Sequence, residues 1–184
     1  MKKIIIILLI LLSSASCAST HDHTPFTFVS DKIVVLIPDT ATACHMDALN
    51  EAVEFYDTVW ETEESAFEVY AESKGSSAWK NTNYRVIKIS FSDDVVSLPS
   101  GADADGMARQ NTLGFEPRWR GEIEIYPIRC RPSTYIHEFG HTFSLGHDDF
   151  TPNNYMWSTL PANTDGFSLR VGQIKQTKTF ALTK

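Results

Sequence analysis

His137, Glu138, His141 and His147 are the residues of this chain whose types and spacing could do chemistry. They lie in the run His137-Glu138-Phe139-Gly140-His141-Thr142-Phe143-Ser144-Leu145-Gly146-His147. Two histidines four positions apart stand on one face of a helix, close enough for both imidazoles to share a metal ion. Glu138 reaches the flank of the same site. His147 falls just past Gly146, where a turn can bring it back as a third nitrogen. Three protein ligands and one open position are the pattern of catalytic zinc, which acidifies water and polarises a carbonyl. Glu138 is then the general base that takes a proton from water and passes it to the leaving amine. The competing reading is a surface helix with incidental histidines. Composition alone would place these four residues so in about one chain in several thousand of this size.

The segment resembles the extended zinc motif of the metzincin clan, His-Glu-x-x-His-x-x-Gly-x-x-His. Within the clan it most resembles the matrixins, the matrix metalloproteinase family, and their small bacterial relatives. His137, His141 and His147 fall on the zinc ligands of that motif and Glu138 on its general base. Met156, in Asn154-Tyr155-Met156-Trp157, stands nine residues after His147, where such families carry a Met-turn beneath the zinc. Three positions depart from the pattern. Ser144 replaces the Gly that permits a tight exit from the helix, so Gly146 is expected to supply that freedom two residues later. Ser158 stands where astacin-like relatives have a Tyr ligand, which favours the matrixins. Pro161 comes later than the Pro that follows the Met in many matrixins.

The resemblance covers nearly all of residues 30–184. It implies an α+β zincin catalytic domain: a twisted, mostly parallel sheet with an antiparallel edge strand, two long helices, and a short C-terminal sub-domain with a closing helix. It also implies a zinc-dependent endopeptidase that cuts extended protein or peptide substrates lying antiparallel to the edge strand. Zn2+ is the implied cofactor. The rival is an exported zinc-binding module of the same fold without efficient proteolysis; the free base Glu138 argues against it, since a structural zinc site closes its fourth position. Tyr155, Trp157 and Leu160 suggest an apolar preference for the residue after the scissile bond.

These residues need elements to position them. Ile33, Val34, Val35, Leu36 and Ile37, ended by Pro38, read as a buried strand. Met46, Leu49, Val53, Tyr56 and Trp60 recur at spacings of three and four and predict a helix over 45–62. Residues 72–83, with Gly75 and several Ser and Asn, read as a turn-rich connector. A second strand is predicted over 84–91 and a short one over 107–115. Asp103 and Asp105 lie in a loop that is either a plain acidic turn or a Ca2+ site. Residues 121–128 alternate cleanly, and Pro127 marks them as an edge strand beside which a peptide could add. The zinc helix is predicted over 132–145, stopped by Gly146, and a closing helix over 167–179, weakened by Gly172. His45, at a helix start, reads as a surface or capping residue.

Lys2 and Lys3 followed by the unbroken apolar run 4–12 predict an export signal over 1–18. Its small-residue tail leaves two routes open: cleavage after Ala18, or lipidation of Cys17 as in a lipoprotein. Residues 19–31 form a flexible lead-in or a very short pro-segment in which Asp22 could reach the zinc, and 32–184 form the catalytic domain. Secreted, periplasmic and lipid-anchored destinations are all compatible with this. Loss of the two leader lysines moves the formal charge from −7 to −9. That acidity argues against a nucleic-acid partner; no other segment is apolar enough to cross a membrane, and a monomer acting on peptide is expected. Cys44 and Cys130 remain after the leader, and in an exported protein they either pair or stay as buried thiols.

Overall fold

A computed structural model describes residues 32–80, 85–93, 96–97, 103–104, 106–112, 119–126 and 130–182. In chain order the elements are β1 (Ile33–Ile37), α1 (Ala43–Trp60), β2 (Phe67–Ala71), α2 (Glu72–Lys80), β3 (Arg85–Phe91), β4 (Val96–Ser97), β5 (Asp103–Ala104), β6 (Gly106–Thr112), β7 (Trp119–Ile125), α3 (Pro132–Thr142) and α4 (Val171–Leu182). Five strands form one sheet in the order β2-β1-β3-β7-β6. The first four run parallel, and β6 lies antiparallel to β7 at the edge. β4 and β5 make a separate antiparallel ribbon. This is the expected α+β architecture.

The sheet is covered on both faces, which is why β1 is apolar at every position. Val34 and Leu36, with Val86 of β3, pack against Ala78 of α2. The alternate residues Ile33, Val35 and Ile37 join Ile87, Ile89, Ile123 and Ile125 under α1 and α3. Leu49, Ala52, Tyr56 and Trp60 of α1 are fully buried there, so the predicted helical stripe is a core face. The Cys44–Cys130 bridge, with Cα atoms 5.8 Å apart, ties the start of α1 to the segment before α3.

Four expectations need correction. Residues 121–128 do not form the edge: β7 ends at Ile125 and pairs on both sides, with β3 and β6. Alternation reports which face a residue takes and says nothing about neighbours, and Pro127 lies beyond the strand, outside the described residues. The antiparallel edge is β6, which overlaps the short strand predicted over 107–115. The connector at 72–83 contains the helix α2, whose start is held by Asp39, accepting from the Ser73 N–H and hydroxyl at 3.0 and 2.5 Å. This cap comes from 34 residues away and has no local signature. The closing helix starts at Val171, because the Gln173 side chain accepts the Arg170 N–H at 2.9 Å. His45 is buried, with Nδ1 2.9 Å from the Tyr135 hydroxyl and its ring 4.4 Å from that of Phe91.

The leader over 1–18, Cys17, Asp22 and the 19–31 segment lie outside the described residues, as does Asp105. Among the described residues no helix is long and apolar enough to cross a membrane.

Candidate metal centre

α3 opens with Pro132 in its first turn, after Arg131 in extended conformation. Its rotation is set by the core. Phe139 and Phe143 pack in an aromatic cluster with Tyr56, Trp60 and Phe67, and the Tyr56 hydroxyl donates to the Ile136 carbonyl at 2.9 Å. With that side committed to the interior, Glu138 is turned toward β6, where it accepts a hydrogen bond from the Ala108 backbone. Gly106 permits this approach: a Cβ there would stand 3.1 Å from both Cγ and Oε1 of Glu138.

The helix exit differs from the sequence expectation. α3 ends at Thr142, three residues short of Leu145, and the left-handed position is Ser144 itself, at φ 70°. The Ser144 N–H donates to the His141 carbonyl at 3.0 Å, and the Leu145 N–H to that of Gly140 at 2.9 Å. These two bonds form a complete Schellman exit with serine where glycine is usual. Gln176 of α4 adds a bond to the Ser144 carbonyl at 2.8 Å. Gly146 takes no left-handed conformation and has nothing within 4 Å of a built Cβ.

The exit places the histidines. The His137 Nδ1 lies 2.6 Å from the Tyr155 carbonyl, and the His141 Nδ1 lies 2.8 Å from the Leu145 carbonyl. A carbonyl only accepts, so each Nδ1 carries the proton and each Nε2 presents a bare lone pair. Those Nε2 atoms are 3.0 Å apart, and the His147 Nε2 stands 3.2 Å from that of His141. The donor atoms of all three residues lie within 4.8 Å of one another. Lone pairs of His137 and His141 cannot bond to each other; a shared cation is what such a set accommodates. Tetrahedral zinc with bonds of about 2.0–2.1 Å spaces its nitrogens about 3.4 Å apart, close to these separations.

Burial tunes the same groups. The His137 imidazole is pushed down to about 4, first by desolvation and then by the neighbouring His141, and burial also lowers His141. Both rings are therefore neutral ligands at ordinary pH. Burial raises the Glu138 carboxyl to about 8. Its Oε2 is buried with no hydrogen-bond partner. An orphaned carboxylate oxygen on the residue next to His137, in a helix that carries two of three convergent imidazoles, fits a site built to receive a cation and a polarised water. Asp149, beside His147 and His137, is held below the usual carboxylate range, chiefly by the Ser158 N–H, which donates to it at 2.7 Å.

Met156 is fully buried beneath α3; a Cβ on Gly140 would meet its Sδ at 2.4 Å. The turn that carries it also presents the Tyr155 carbonyl to His137. The three histidines singled out from the sequence thus meet in one place, and Met156 lies against Gly140 of the helix that carries two of them. Two others were missed. Asn154 caps this turn by accepting the Met156 N–H at 2.8 Å, and Asp148, buried next to His147, donates its own N–H to the Met156 carbonyl at 2.7 Å. An Asn two residues before the Met is an Asx-turn signal that could have been read. Tyr155 lines a cavity of about 650 Å3 together with Glu51, Phe55, Arg131, Ile136 and Asp165; Trp157 and Leu160 are not among its lining residues.

Three imidazoles and a flanking glutamate, presented by one helix and the turn after it beside an antiparallel edge strand, suit a zincin-type metal-binding and catalytic centre. No family model matches the chain and no curated protein matches it.

Proposed function

We propose that the chain is a zinc-dependent endopeptidase of the metzincin kind, resembling the matrixins, that hydrolyses extended protein or peptide substrates. The observation that carries this reading is the convergence of three histidines, with the Nε2 atoms of His137 and His141 freed by their Nδ1–carbonyl bonds, together with the orphaned Oε2 of the adjacent Glu138. When bound, zinc supplies a Lewis acid that acidifies water and polarises a carbonyl. His137, His141 and His147 hold it. Glu138 accepts a proton at the otherwise unpaired Oε2 and returns it to the departing amine, which is general acid–base work by one carboxyl. The burial that raises Glu138 helps it retain that proton between the two transfers. β6, at the sheet edge next to Glu138, offers backbone groups on which an extended peptide can pair as an added strand. The basic start and apolar run of residues 1–12 support export, with either cleavage after Ala18 or a lipid anchor at Cys17.

The test combines metal analysis with hydrolysis of a diverse peptide library. The protein should hold one zinc, and Glu138→Gln should keep the metal while lowering kcat by about 10²- to 10⁴-fold. Equal cleavage by the variant, or zinc without any cleavage by the wild type, would sink the peptidase reading; the second result would leave a zinc-binding module.

A further inference from the structure

A buried polar network joins the metal centre to the start of α4, and the proposed chemistry makes no use of it. Asn154 is 1% exposed and Asp148 7%. The Asn154 Oδ1 accepts the Met156 N–H, while its Nδ2 donates to the Gln173 Oε1 at 2.9 Å and to the Asp148 Oδ2 at 3.3 Å. The same Asp148 oxygen accepts from the Thr151 hydroxyl at 2.9 Å and pairs with the Arg170 Nε at 2.8 Å. Gln173 closes the circuit by accepting the Arg170 N–H.

Two ligands depend on the backbone this network holds. His137 aims its Nε2 into the site because its Nδ1 is anchored on the carbonyl of Tyr155, the residue inside the Asn154–Met156 turn. His147 is exposed and belongs to no helix or strand. The next residue, Asp148, is anchored through its N–H on Met156 and through its carboxylate on Asn154 and Arg170. Removing the Asn154 amide would leave the Met156 N–H without its cap and weaken the hold on Asp148. A buried donor without a partner is costly, so the turn would shift to find one.

We infer that Asn154 is a positioning residue for the metal centre, and that the start of α4, through Gln173 and the preceding Arg170, sets how well His137 and His147 are presented. The inference rests on the reading that these histidines bind zinc. Partners that orient metal ligands typically change metal affinity by about 10- to 100-fold when removed.

The experiment uses the full chain and two readouts besides activity: the zinc dissociation constant from competition with a chelator, and the visible absorption bands of the cobalt(II)-loaded protein. Asn154→Ala should weaken zinc binding by about 10- to 100-fold and alter the cobalt bands. Asn154→Ser, whose hydroxyl can accept the Met156 N–H, should recover part of both. Gln173→Ala, which leaves that cap in place, should weaken zinc binding by a smaller factor. If Asn154→Ala does not fold, Gln173→Ala decides by the same readouts. Folded variants with wild-type affinity and unchanged bands, even if less heat-stable, would overturn the inference by showing a packing role alone. A wild-type chain that takes up no zinc would instead overturn the proposed function, before any variant is made.

Discussion

At Glu138 two environments compete. Burial favours the neutral acid, and a cation in front of Oε2 would favour the carboxylate. The sign of the consequence follows from linkage. In metal-free protein the folded-state value, about 8, lies above the ordinary 4.5, so the folded state binds this proton more tightly than the unfolded chain. The stabilisation is fully present below about pH 4.5 and is lost as pH rises through about 8. Metal-free wild type should therefore lose thermal stability between pH 5 and 8 relative to metal-free Glu138→Gln, which has no carboxyl to ionise. Thermal melts of the two proteins across that range check it, and parallel profiles would contradict the buried, unpaired carboxyl. His137 shifts in the opposite direction, but it is common to both proteins and cancels in the difference. The proposed role of Glu138 as a base was legible from its place between His137 and His141. That it would be sealed against β6 was not, because Ala108 and Gly106 lie some thirty residues earlier in the chain.

At the level of elements, the exit from α3 decides where the third ligand goes. A left-handed serine costs about 1–2 kcal/mol, whereas glycine adopts the conformation freely but loses more entropy on folding, about 0.5–1 kcal/mol. Ser144→Gly should therefore stabilise the protein by about 0.5–1 kcal/mol, raising Tm by about 2 °C. Gly146→Ala, with open space around it and no left-handed φ, should be tolerated. The opposite pattern, strong destabilisation by Gly146→Ala and none of the gain from Ser144→Gly, would restore the longer helix that the sequence suggests. Thermal or denaturant unfolding of both variants separates the two. The sequence misleads here for a physical reason: glycine marks where left-handed backbone is easy, but the fold places the turn where the Gly140 and His141 carbonyls and the Gln176 side chain can satisfy it. The same logic governs α2, whose start is stabilised by Asp39 from the turn after β1.

For the molecule as a whole, the two long-range ties meet at α3. Its start is held to α1 by the Cys44–Cys130 bridge, and the segment after it is held to α4 through Asp148, Asn154 and Gln173. The bridge closes a loop with a sequence separation of 86, so it restricts the unfolded chain strongly. Replacing both cysteines by Ala should lower stability by about 2–5 kcal/mol, read as a shift in denaturant midpoint relative to oxidised wild type. A shift below about 0.5 kcal/mol would mean that the bridge does not constrain the unfolded state. Only Cys44 and Cys130 remain once the expected leader is set aside, so the pairing was open to sequence reasoning as one of two choices. Proximity in space settled it.

The sequence by itself picked out the residues of the proposed metal centre. A four-residue spacing on a period of 3.6 puts His137 and His141 on one side of any helix they form, Glu138 comes with them, and Met156 follows at a set distance. It also determined the apolar run of β1 and the buried stripe of α1, because burial imposes a local period on hydrophobicity. The tertiary structure alone decided which strand became the edge, since alternation names faces and not neighbours. It also decided that Ser144 would bear the left-handed turn, that His45 would be buried against Tyr135 and Phe91, and that Asn154 would link the metal centre to α4. Each of these is a balance of contacts between segments far apart in the chain, and a local pattern carries no record of such a partner.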